Sequence, residues 1–127
     1  LSGNYIRDMG AVGLAKALEV NAASLKELSL SDNQICDAGA VGLGEGLKGN
    51  ESLTTLRLKG RASHKIGVAG AVALGEGLAA NATLTTLDLR WNQIADPGAL
   101  GIAKALEVNA SLIELDLRSN HIGDAGA

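Results

Sequence analysis

The sequence predicts an α/β solenoid, with a parallel sheet on the concave face and helices on the convex face. Three observations predict it. A sentence of the form Leu-x-x-Leu-x-Leu-x-x-Asn-x-Ile-x-Asp-x-Gly-Ala recurs, with copies starting at Leu25, Leu53, Leu84 and Leu112 after a beheaded copy that enters at Leu1. The starts lie 28, 31 and 28 residues apart, a period at which each unit buries its apolar face only against its neighbours. Inside each unit the apolar spacing changes from alternate positions to i, i+4, which is a strand followed by a helix. Residues 1–127 therefore read as a single array of about four and a half repeats, partial at both ends.

In each unit the last two leucines of the opening run alternate with polar residues: Leu28/Leu30, Leu56/Leu58, Leu87/Leu89 and Leu115/Leu117. Such alternation turns leucine inward and its neighbours outward. Strands that recur once per unit after a crossover lie parallel, joined by right-handed connections. The Asn that follows (Asn4, Asn33, Asn92 and Asn120) has both a donor and an acceptor, and can satisfy backbone groups where the chain leaves the sheet.

The Asp two residues after the core Ile (Asp8, Asp37, Asp96 and Asp124) is expected to cap its own helix, with Pro97 at the first helical position. The Gly-Ala pair after it lets the first turn pack close to the sheet. Leu14/Leu18, Leu43/Leu47, Leu74/Leu78 and Ile102/Leu106 supply the buried stripe. Asn21, Asn50, Asn81 and Asn109 end the helices, where a left-handed cap is expected. Glycines at 42, 44 and 46 each weaken a helix by about 1 kcal/mol relative to Ala, so stacking must hold these helices together.

These residues identify a resemblance. The pattern is similar to the ribonuclease-inhibitor-like class of leucine-rich repeats and spans essentially the whole chain. Residues 84–127, LTTLDLRWNQIADPGALGIAKALEVNASLIELDLRSNHIGDAGA, resemble the C-terminal repeats of cytosolic NOD-like receptors. The resemblance implies a horseshoe and a binding scaffold. A second relative, the Ran GTPase-activating protein, implies a regulator of another protein's GTP hydrolysis; its long acidic tail has no counterpart here. A true ribonuclease inhibitor is Cys-rich, whereas this chain has one Cys.

Composition narrows the functions. Hydrophobic residues make up 46% and aromatics 2%, with no Phe, so the core is built from Leu, Ala, Val and Ile. A net charge of −3 with mixed signs argues against nucleic acid, which needs a basic stripe. No apolar run approaches a membrane span, and no basic-then-apolar leader opens the sequence. The lone Cys36 excludes an intrachain disulfide and favours a cytoplasmic setting.

Catalysis and cofactors are not expected. His64, His121 and Cys36 lack metal-ligand spacing, and the glycines after Gly39 lie along a helix rather than in a phosphate-binding turn. The triplets Asn50-Glu-Ser52, Asn81-Ala-Thr83 and Asn109-Ala-Ser111 match a glycosylation acceptor, but the repeat writes them for structural reasons.

The third repeat breaks the rule. Lys59-Gly60-Arg61-Ala62-Ser63-His64-Lys65 holds about three extra residues, Arg61 replaces the ladder Asn and Val68 replaces the Asp. One reading is a tolerated surface bulge, because loop lengthening costs little entropy. The other is a protruding basic loop that reaches toward a partner. In either case the loop is expected to be mobile.

Register places Glu27, Thr55, Thr86 and Glu114 in one outward column, Ser29, Arg57, Asp88 and Asp116 in the next, and Ser31, Lys59, Arg90 and Arg118 in a third. Trp91, the only Trp, follows Arg90, and aromatic residues beside arginine are typical of interface hot spots. Alternatively, Trp91 covers the stems of Arg90 and Arg118, or the whole face is simply solvated. The expected partner-binding residues are Arg57, Lys59, Thr86, Asp88, Arg90, Trp91, Glu114, Asp116 and Arg118, the partner being a protein. A purely architectural spacer is the remaining alternative. Four strands span about 15–20 Å, narrow for an interface of roughly 800 Å² per partner. With no polar cap at either end, a longer array or end-to-end self-association is expected.

Overall fold

The computed structural model describes residues 1–20 and 24–127. Helices and strands alternate: α1 (Arg7–Val20), β1 (Glu27–Ser29), α2 (Asp37–Gly49), β2 (Thr55–Arg57), α3 (Val68–Ala80), β3 (Thr86–Asp88), α4 (Ala95–Leu106) and β4 (Glu114–Asp116). The strands form one open parallel sheet in chain order, in the register Glu27↔Thr55↔Thr86↔Glu114. This is the α/β solenoid that the period and the alternation predict. Each strand is short, but the ladder runs on beyond it: Leu30, Leu58 and Leu89 donate to Arg57, Asp88 and Asp116 carbonyls at 2.8–2.9 Å. Asp32, Gly60 and Trp91 then donate to Lys59, Arg90 and Arg118.

The core lies between the layers. Leu28, Leu56 and Leu87 from the strands meet Leu18, Leu43, Leu47, Leu74 and Leu78 from the helices, all nearly inaccessible to water. Helix stacking depends on glycine at its closest points. A Cβ on Gly44 would run into the Ala73 carbonyl oxygen, and one on Gly77 into the Gly44 carbonyl oxygen. A residue that weakens each helix alone is thus what lets neighbouring helices touch backbone to backbone.

The Asn ladder forms as expected. Asn33 accepts from Asn4 N–H at 3.0 Å and donates to the Leu1 carbonyl at 2.7 Å; Asn92 accepts from Ile66 N–H at 2.9 Å and donates to Leu58 at 3.0 Å. Each amide stitches its turn to the preceding unit.

Four expectations are corrected. The repeat Asp does not cap its own helix: α2 is preceded by Cys36, which makes no side-chain cap, and Asp37 is already helical. Its carboxylate instead accepts from Gly67 and Gly70 N–H at 2.7 and 3.0 Å, on the next unit. Asp8 does the same for Cys36 and Gly39, and Asp96 for Gly123. First turns stack in line, so a carboxylate at the start of one helix faces the free N–H groups of the next. Pro97 is the third residue of α4 rather than the first, still within the turn where a missing N–H is harmless.

The helix-ending Asn residues are not left-handed either. Asn50 and Asn81 have φ of −87° and −88°. Their amides build a second ladder: Asn50 donates to Leu18, Asn81 to Leu47 and Asn50, and Asn109 to Leu78 and Asn81, at 2.8–3.0 Å. The fourth correction concerns Leu106, which is 40% exposed because α4 is the last helix of the described stack. Asn21 lies outside the described residues.

Candidate functional site

Most of the charges on the outward columns of the sheet are already paired. Arg57 approaches Glu27 at 3.3 Å across adjacent strands. Arg90 binds Asp88 at 2.7 Å and reaches Asp116 at 3.4 Å, bridging two repeats. Arg118 closes on Asp116 at 2.6 Å. Each Arg lies two residues beyond its Asp, so both point outward from the same face, and the Asp also accepts the Arg backbone N–H. The result is an interlocked row of alternating charge.

Burial alone would push the Asp88 carboxyl up, but the hydrogen bonds and charge of Arg90 outweigh it and hold Asp88 below its ordinary value. Asp116 is likewise held down by Arg118. Asp88 is only 7% exposed, so it supports Arg90 more than it presents itself to solvent.

The expected site residues fall into two groups. Arg57, Thr86, Asp88, Arg90, Glu114, Asp116 and Arg118 surround one shallow depression of about 240 Å³ on the sheet. Lys59 and Trp91 line a second, larger depression of about 550 Å³, together with Asp32, Gly60, Arg61 and Lys65 from the long loop. Arg61 and Lys65 stand outside the nine expected residues, though with Lys59 and His64 they make up the basic loop that the sequence offers as an alternative contact to a partner. The signal that points to them is the insertion itself, which carries three of the chain's eleven Lys and Arg residues within positions 59–65.

The loop is closed at its base. Arg61 N–H donates to His64 O at 3.3 Å and His64 N–H returns to Arg61 O at 3.1 Å. Beyond the loop the ladder resumes, with Asn92 accepting from the Ile66 N–H as Asn120 does from the Ile94 N–H. Trp91 is 54% exposed and sits at φ +58°, the left-handed region. Its counterparts Gly3, Asp32 and Ser119 are also at positive φ, whereas Gly60 at the start of the long loop is not. Glycine and small polar residues adopt that conformation most readily; Arg7, Gln34 and His121 share it, and Trp91 is the bulkiest side chain held there among the described residues.

The remaining chemistry-bearing groups are quiet. The Cys36 thiol is pushed up by burial and by the Asp8 charge, so it stays protonated at neutral pH and is a poor nucleophile. Among the described residues no cluster of three His, Cys, Asp or Glu side chains could hold a metal ion, and no helix is long and apolar enough to cross a membrane. The amides of Asn50 and Asn81 are 3% and 4% exposed and fully engaged, so their triplets are structural.

A repeating strand–turn–helix unit, a parallel sheet in chain order and a ladder of buried amides define a repeat solenoid. The chain belongs to the leucine-rich repeat family, whose model, described as Leucine Rich repeat, matches residues 21–44, 80–103 and 108–127. Among solved structures it is similar to Leiomodin-1 Actin-Binding Site 2 (ABS2), with 26% identity and a TM-score of 0.77, over 92% of this chain and 68% of that one. A search of curated proteins returns no match. The family and the actin-binding neighbour together support a protein-interaction scaffold.

Proposed function

We propose that this chain docks a protein partner on its concave face, through the charged columns around Arg57, Asp88, Arg90, Glu114, Asp116 and Arg118. The observation that carries the reading is the Arg90 bridge between Asp88 and Asp116, which locks outward charges of two repeats into one geometry. A surface whose side chains are already ordered loses little entropy on binding. Leucine-rich wording of the ribonuclease-inhibitor-like and NOD-like type, and a single cysteine, fit a cytoplasmic receptor or regulator.

Actin is the first partner to test, because the structural neighbour is an actin-binding site. The chain is mixed with actin filaments and sedimented, alongside Arg57→Ala and Glu114→Lys, two substitutions on the open sheet surface at residues that make no ion pair with Arg90. Binding by the wild type that drops at least tenfold in these variants supports the concave face. Equal binding by the variants places the contact elsewhere. Should actin fail, the same variants are applied to a partner captured by the immobilised chain, and a chain that captures no protein overturns the scaffold reading. Stimulated GTP hydrolysis by a small GTPase would favour the regulator of the Ran type instead.

A further inference from the structure

The concave face is rich in arginine, yet each of its guanidinium groups already has a carboxylate. Cations without one lie elsewhere. Among the described residues Arg61 and Lys65 make no ion pair, and Lys59 has only a distant one, 3.9 Å from Asp32. All three line the depression whose other wall is Trp91. No Asp or Glu lies between residues 59 and 65, and Asp32 is the one acidic group in the lining.

Trp91 is the second observation, independent of the charges. The indole is only half buried, and its backbone conformation is one that bulky residues avoid. Three other turns meet the same geometry with Gly3, Asp32 and Ser119. A large aromatic held half-exposed on a left-handed backbone is the kind of position that clusters where ligands bind. Gly60 adds to the shape. Any side chain there would collide with the Trp91 carbonyl and the Asn92 amide, so glycine lets the start of the loop lie directly against the turn that carries the indole.

We infer that this depression captures an acidic stretch of a protein partner, with carboxylates on Arg61 and Lys65 and an apolar side chain against the Trp91 indole. The inference rests on the scaffold reading and names the chemistry of its partner. The site is a peptide site rather than a pocket for a small anion, because the cations are spread along a loop and an adjoining strand end, beside an apolar wall. A small anion would be held instead by converging buried donors. The insertion that interrupts the repeat is, on this account, the element that creates specificity.

The lone tryptophan supplies the readout, since all indole emission comes from Trp91. An octapeptide of glutamates with one central leucine is titrated into the 127-residue chain, beside a lysine counterpart and inorganic phosphate. The acidic peptide is expected to change Trp91 emission saturably, and more weakly as salt rises. Neither the lysine peptide nor phosphate is expected to act. The double variant Arg61→Glu/Lys65→Glu, shown folded by circular dichroism, is expected to bind at least tenfold more weakly, while Lys104→Ala, on the helix layer, binds this peptide like wild type. No response to the acidic peptide, an equal response to phosphate, or undiminished binding by the double variant overturns the inference. A protein partner lost by Arg57→Ala but retained by the double variant leaves the concave-face reading standing and removes this one.

Discussion

Asp37 accepts a hydrogen bond from the Gly70 N–H, 3.0 Å away and one full repeat further on. Its carboxylate secures the helix after its own, so the cost of losing it falls on α3. Asp37→Ala is expected to lower unfolding free energy by about 0.5–2 kcal/mol, the usual worth of a capping side chain. Thermal or urea unfolding measures it, and hydrogen exchange should quicken first at Gly67 and Gly70.

The same arrangement predicts a gain. Val68 stands where Asp8, Asp37 and Asp96 stand in their repeats, and it faces Gly98, 3.5 Å from where a Cβ on that glycine would lie. Val68→Asp should give the Gly98 N–H an acceptor and raise stability by about 1 kcal/mol. Val68 is exposed, so little buried apolar area is lost in exchange. An unchanged or lower urea midpoint would contradict the capping role assigned to these carboxylates.

Much of this was legible in the sequence, because a period of this size dictates strand, turn and helix by repetition. Leu28, Leu56 and Leu87 could be placed inward from alternation alone. The recipient of the Asp bonds could not, since local patterns report a residue's own helix and not the one stacked beside it. The split of the candidate site had the same cause. Register puts Lys59 and Arg90 in one column, but only the path of the inserted loop determines that Lys59 shares a depression with Arg61 and Trp91.

Helix packing offers a sharper contrast. Gly13→Ala in α1 meets nothing within 4 Å and should stabilise by roughly 0.5–1 kcal/mol through helix propensity. Gly44→Ala gains the same propensity but drives a methyl into the Ala73 carbonyl, and overpacking of this kind costs about 1–3 kcal/mol. The two substitutions should therefore have opposite signs in one unfolding assay.

Acid should weaken the fold through the Arg90 bridge. Asp88 is held below the ordinary carboxyl value of 3.8, so its contribution is fully present above that value and is lost as pH falls through the lower folded value. Urea midpoints measured from about pH 6 down to about pH 2 should decline in the wild type. Asp88→Asn should start lower and lose less over the same interval.

Trp91→Asn separates fold from recognition. Asn accepts the left-handed conformation better than a bulky aromatic, so stability should hold or rise by about 1 kcal/mol. Acidic-peptide binding, followed on this variant by calorimetry, should fall. A large loss of stability would mean that the indole packs for the sake of the fold.

The glycine contacts between helices also govern the arc of the whole array. A horseshoe bends because its outer layer is spaced more widely than its strands, which are fixed near 4.8 Å by peptide geometry. Gly44 and Gly77 let the outer layer stack at backbone contact, so a larger residue at either would spread that layer and tighten the bow around whatever lies inside it.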